Sequence, residues 1–92
     1  MAVAQQHRGK LPRLNLEGSA LRYADGRDMK FRSVILRRAK LNNAIMTDAN
    51  FSNANFRDAD LTDAETTGTD FSGADLRGTK IMLYRESLRT RI

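Results

Sequence analysis

An all-β solenoid of stacked, four-sided coils is the fold this sequence predicts, and three regularities predict it. Large apolar residues recur at every fifth position from Leu16 to Ile81. A smaller residue, most often alanine, stands two places before each of them. Two places after each stands a residue suited to a left-handed backbone, usually Gly, Asp or Asn. Five is the period of neither a helix nor a strand, so the repeat is read first and secondary structure follows from it.

The large series runs Leu16, Leu21, Gly26, Phe31, Leu36, Leu41, Met46, Phe51, Phe56, Leu61, Thr66, Phe71, Leu76 and Ile81, and only Gly26 and Thr66 break it. Each five-residue unit forms one side and one corner of a square. The large residue fills the centre, the small one occupies the crowded inner corner, and the other three face water. Four sides close a coil of twenty residues, so residues twenty apart stack. Phe31, Phe51 and Phe71 form one inner column, Leu36, Phe56 and Leu76 with Leu16 a second, and Leu41, Leu61 and Ile81 with Leu21 a third. The fourth column, Gly26, Met46 and Thr66, is poor in apolar volume and is expected to be the loosest, with Met29 filling the space beside Gly26. At the turn positions Tyr23, Ser33 and Arg38 depart from the turn-forming types, so the early turns are expected to be the less regular ones.

The clearest copies are AKLNN, ANFSN, ANFRD, ADLTD and ADLRG. They resemble the A(D/N)LXX consensus of the pentapeptide-repeat family, and the register holds without insertion over residues 14–83. The resemblance implies a right-handed quadrilateral parallel β-helix, here of about three and a half coils and roughly 17 Å high at the spacing of β-strands. Three parts follow: a basic N-terminal tail (1–13), the repeat (14–83), and a C-terminal segment (84–92). In that last segment Tyr84, Leu88 and Ile92 have helical spacing, as a short helix capping the final coil or as an interface for a second copy or another protein. C-terminal apolar residues often serve dimerisation in the family, which adds weight to the interface reading and, with it, to a homodimer through this segment.

Composition narrows the chemistry. No cysteine is present and His7 is the sole histidine, so no thiol nucleophile, thiolate metal site or catalytic triad can be assembled. No enzyme activity, metal or cofactor is expected. The carboxylates Asp58, Asp60, Asp63, Glu65, Asp70 and Asp75 fall on outward positions of several sides and read as solvated surface. The N-terminus lacks the apolar run of a signal peptide, and no eighteen apolar residues run together, so a cytoplasmic protein without membrane partners is expected.

The net charge of +5 is segregated. Residues 1–40 carry ten Lys or Arg against three acids, residues 41–79 two against seven, and residues 80–92 four against one. Arg37, Arg57 and Arg77, twenty residues apart, are expected to stack as a ladder. Such a ladder is either compensated by Glu17, Asp58, Asp60 and Asp75 or free to grip phosphate or a carboxylate-rich partner. Lys40, Asp60 and Lys80 form a charge-alternating ladder. Ile35 and Ile45 stand at outward positions, as strand formers or, with Tyr23, as a surface covered by a neighbour.

These readings lead to a non-catalytic protein-interaction or scaffold module, a small component of a larger assembly, with an unidentified protein as partner. Nucleic-acid binding through the basic first half is the first alternative, although its cations are expected to be dispersed over several sides. The second comes from the resemblance, since the family's best-characterised activity is DNA mimicry toward DNA gyrase. That activity uses length and negative charge, and only the acidic belt of residues 48–75 favours it here.

Overall fold

A computed structural model of the chain describes residues 13–81. Residues 1–12 of the basic tail, with His7, and the segment holding Tyr84, Leu88 and Ile92 lie outside the described residues. Every β-bridge among them is parallel and joins residues twenty apart, from Asn15 with Ile35 to Asp60 with Lys80. The chain therefore turns through four sides before stacking on itself.

Three rows of backbone hydrogen bonds fix that register. The N–H of each central residue donates upward to a carbonyl nineteen residues on, as Leu36 does to Asn55 at 2.7 Å and Phe51 to Asp70 at 2.8 Å. The bridge residue donates downward, as Asn55 does to Val34 at 2.9 Å, and the corner residue donates upward, as Arg38 does to Arg57 at 2.9 Å. Each corner also closes on itself, with the N–H of the small residue donating to the central carbonyl three positions earlier, for example Ala54 to Phe51 at 3.1 Å. Thirteen residues from Gly18 to Gly78 have φ between 57° and 73°, all at the corner position where a type II turn needs it.

Tyr23, Ser33 and Arg38 adopt φ of 61°, 61° and 59°, so the early turns are as regular as the later ones, contrary to the sequence expectation. The reason is the upward ladder bond. It ties the corner N–H of Ser33 to Ser52 at 2.8 Å and holds the backbone left-handed whatever side chain it carries.

The columns fill the interior. Phe51 stacks between Phe31 and Phe71, with ring centroids 5.2 and 6.2 Å apart, while Phe56 meets Phe51 and Phe71 edge-on at 5.3 and 5.4 Å. Leu36, Leu41, Met46, Phe56, Leu61 and the alanines of the middle coils are buried. The ends differ from the periodic expectation. Ile81 is 46% exposed and Leu14 53%, and Phe31 and Leu76 are half-buried, because no further coil among the described residues covers them.

The fourth column is not loose throughout, since Met46 and Thr66 are fully buried. Looseness is confined to its first member. An apolar cavity of about 190 Å³ opens beside Gly26, lined by Leu16, Leu21, Phe31, Leu41 and Met46. Met29 borders this cavity without filling it and is itself 46% exposed.

Candidate protein-docking surface

Among the described residues the inward positions of the middle coils are core, so the surface chemistry is carried by the three outward positions of each unit. The bridge residue stands mid-side, with a corner residue two places before it and another two places after. This geometry sorts the charges of the described residues by side. The first side, centred on Asn15, Ile35, Asn55 and Asp75, carries Arg13, Arg37, Arg57 and Arg77 against Glu17 and Asp75. The second, centred on Ala20, Lys40, Asp60 and Lys80, carries Arg22, Arg38, Lys40 and Lys80 against Asp58 and Asp60.

The third side reverses the balance, with Arg27 alone against Asp25, Asp63 and Glu65. The fourth has Lys30 and Arg32 against Asp28, Asp48 and Asp70. Two adjacent sides are thus basic and the opposite two acidic. The cations of the first half divide accordingly. Arg37 and Arg38 meet at the edge shared by the basic sides, with Lys40 mid-side and Arg22 at the far edge of the second side, while Arg27, Lys30 and Arg32 lie on the acidic ones. These seven cations thus fall on all four sides, as the sequence leads one to expect.

Few of these charges are paired. Among the described residues the ion pairs are Arg27 with Asp25 at 2.8 Å and Arg77 with Asp75 at 2.7 Å. Both are two-point contacts between neighbours on one coil. Hydrogen bonding from Arg77 lowers the Asp75 pKa from its ordinary 3.8 to about 2, and Arg27 lowers that of Asp25 in the same way.

The arginine ladder is therefore compensated only at its upper end. Among the described residues Arg57 and Arg37 form no close ion pair, Glu17, Asp58 and Asp60 pairing with neither, although Asp75 also feels the charge of Arg57. The Arg37 Nε is covered and has no hydrogen-bond acceptor. In the other ladder, Lys40, Asp60 and Lys80 are in register but form no close ion pair. Asp60 is held ionised chiefly by hydrogen bonds from Thr62, with lesser help from Lys80 and Arg22. It sits with Arg22, Arg38, Lys40 and Lys80 in a shallow depression on the second side.

Ile35 and Ile45 are half-buried mid-side on the first and third sides, and Tyr23 is 72% exposed beside the third. The surface carboxylates do not converge, and among the described residues no group of three acidic or histidine side chains could hold a metal ion.

One role escaped the sequence reading. Every Asn or Asp at a bridge position accepts a hydrogen bond on Oδ1 from the N–H two residues on. Asn50 accepts from Ser52 at 2.9 Å, Asn55 from Arg57 at 3.0 Å and Asp60 from Thr62 at 2.9 Å. Asn15, Asp25, Asp70 and Asp75 do the same. That N–H takes no part in the ladder between coils, so the side chain satisfies a donor the fold leaves over. The preference of short Asn and Asp side chains for this local bond was the available signal.

A backbone ladder of twenty-residue register, stacked inner columns and charges confined to the outward positions define a five-residue-repeat β-solenoid. The chain belongs to the pentapeptide-repeat family: the profile for pentapeptide repeats matches residues 13–48 and 46–78, in eight copies. The family fold is a right-handed β-helix, and its members are generally non-enzymatic interaction or scaffold modules. Among solved structures, a pentapeptide repeat protein from the Arabidopsis thaliana thylakoid lumen is 29% identical, with a TM-score of 0.71 over 74% of this chain. This chain spans 47% of that protein's length. The pentapeptide repeat protein Rfr23 from the cyanobacterium Cyanothece 51142 is 25% identical over 83% of this chain and 60% of its own, with a TM-score of 0.28. No curated protein sequence matches.

Proposed function

We propose that this chain is a non-catalytic docking module, a prism of about three and a half coils whose two basic sides receive an acidic partner protein. The observation that carries the reading is the sorting of charge on a backbone locked by ladder bonds. Eight cations face four acids on the basic sides, and most of those cations have no ion pair among the described residues. Unpaired guanidinium groups held in fixed order steer and orient a complementary surface more than they stabilise the module itself.

The test is photo-crosslinking in the source cells from a reactive residue placed at Thr62 on the second side or Thr67 on the third. A discrete protein captured from position 62, weakly or not at all from 67, and lost when Arg38→Glu is added supports the reading. Capture of nothing from either position, or of nucleic acid, overturns it.

A further inference from the structure

We infer that the first side holds a two-carboxylate recognition strip, formed by Arg37 and Arg57 with Ile35 beside them, whose occupant is an acidic amphipathic helix of the partner. This rests on the docking-module reading and specifies the partner's chemistry. Arg37 and Arg57 stand one coil apart in register, since Ile35 bridges Asn55 and the Arg38 N–H meets the Arg57 carbonyl. The third arginine of the column, Arg77, is already neutralised by Asp75, and Glu17 occupies the position below Arg37. Two guanidinium groups with no close ion pair among the described residues thereby stand between a carboxylate below and a neutralised arginine above.

That bracketing selects the ligand. A continuous polyanion running along the column would meet the negative Glu17 at one end of the strip and an arginine already neutralised at the other, whereas a pair of carboxylates meets neither. Spacing selects further. The rungs are about 4.8 Å apart, the distance between neighbouring strands. Glutamates three or four residues apart on a helix have Cβ atoms about 5–6 Å apart, closer to that step than the same-face residues of an extended strand at about 6.7 Å.

Arg37 supplies the second argument. Its Nε is buried without an acceptor, an arrangement that costs free energy, and turning the guanidinium outward onto a carboxylate would relieve it. Ile35, half-buried next to it, offers an apolar contact for the leucine of an amphipathic helix.

The experiment is a titration of the isotope-labelled full chain, observed by NMR at the backbone amides and the arginine Nε–H groups. The probe is an alanine-rich helical peptide carrying two glutamates four residues apart and one leucine on the same face. A peptide with glutamines in place of the glutamates and a short DNA duplex serve as comparators. Saturable shifts at the Arg37 and Arg57 Nε–H signals and at residues 35–37 and 55–57 are expected. They should be absent with the glutamine peptide and weakened about tenfold by Arg37→Gln or Arg57→Gln, with Arg32→Gln on the fourth side changing nothing. No saturable shift at these residues, or tighter binding of the duplex than of the peptide at the same strip, overturns the inference. If the photo-crosslinked protein is still captured in Arg37→Gln/Arg57→Gln, the docking reading stands and this strip is not its contact.

Discussion

The hydroxyl of Thr69 donates to the carbonyl of Met46 at 2.6 Å, linking one inner corner to the same corner of the coil below. Thr69 stands at an inner corner that alanine usually fills, and it is fully buried. Thr79 repeats the contact with Phe56 at 2.7 Å. A buried hydroxyl is tolerated because a carbonyl lies within its reach, and that carbonyl keeps a second donor, the Ala49 N–H at 3.0 Å. Thr69→Val preserves shape and removes only the donor, so stability to urea should fall by about 1 kcal/mol. An unchanged midpoint would mean that the bond contributes nothing net.

The aromatic cluster should be the most sensitive point of the stack. Phe56 is fully buried and meets two other rings edge-on. Phe56→Ala should cost about 3–5 kcal/mol, enough to unfold so small a domain at ordinary temperature. Loss of the β-type circular dichroism spectrum at 25 °C is the expected readout.

Gly68 is held at φ +72°, and a Cβ there would meet Oδ1 of Asp48 in the coil below, the far end of a side chain that can turn aside. Gly68→Ala should therefore destabilise by the left-handed penalty of about 1–2 kcal/mol, with a smaller cost for displacing that carboxylate. In an Asp48→Gly background the same substitution should cost the conformational part alone. Additive effects in this double-mutant cycle, followed by chemical denaturation, would rule out the contact as a source of strain.

Tyr23 offers the opposite case, a non-glycine residue held at φ 61° with a side chain 72% exposed. Tyr23→Asn, which accepts that conformation readily, should raise stability by about 0.5–1 kcal/mol. A thermal midpoint no higher than that of the parent would show that the tyrosine ring has a compensating contact.

Acid should loosen the stack through Asp75. Its folded pKa of about 2 lies below the ordinary 3.8, so its contribution is fully present above pH 4 and is lost as pH falls from 3.8 through 2. Asp25 and Asp60 are lowered in the same direction and add to the slope. Asp75→Asn removes this charge while leaving an oxygen for the Arg77 N–H. Its thermal midpoint should consequently fall less steeply between pH 5 and pH 2.

The interior was readable because a five-residue period leaves little freedom in which residues point inward. Phe31, Phe51 and Phe71 could be stacked on paper because twenty residues separate them. What a periodic pattern lacks is a term for missing neighbours, and it treated Ile81 and Leu14 as equivalent to residues with a coil on either side. It also gave Tyr23, Ser33 and Arg38 more influence over the turn than the ladder bonds allow. The surface was less legible. Arg37, Arg57 and Arg77 looked alike in sequence, and only the reach of Asp75 along its own coil sets Arg77 apart. Sorting charge by side was available by reading every twentieth outward residue, but which cations stay unpaired depends on side-chain conformations that spacing does not encode.

The unbroken twenty-residue register has a consequence for heredity. A single-codon insertion in the repeat would turn inner residues outward along everything downstream, whereas loss or duplication of one full circuit leaves each remaining side chain on its own side. Descent can therefore lengthen or shorten such a gene in whole circuits, carrying a docking strip intact from a short protein into a tall one.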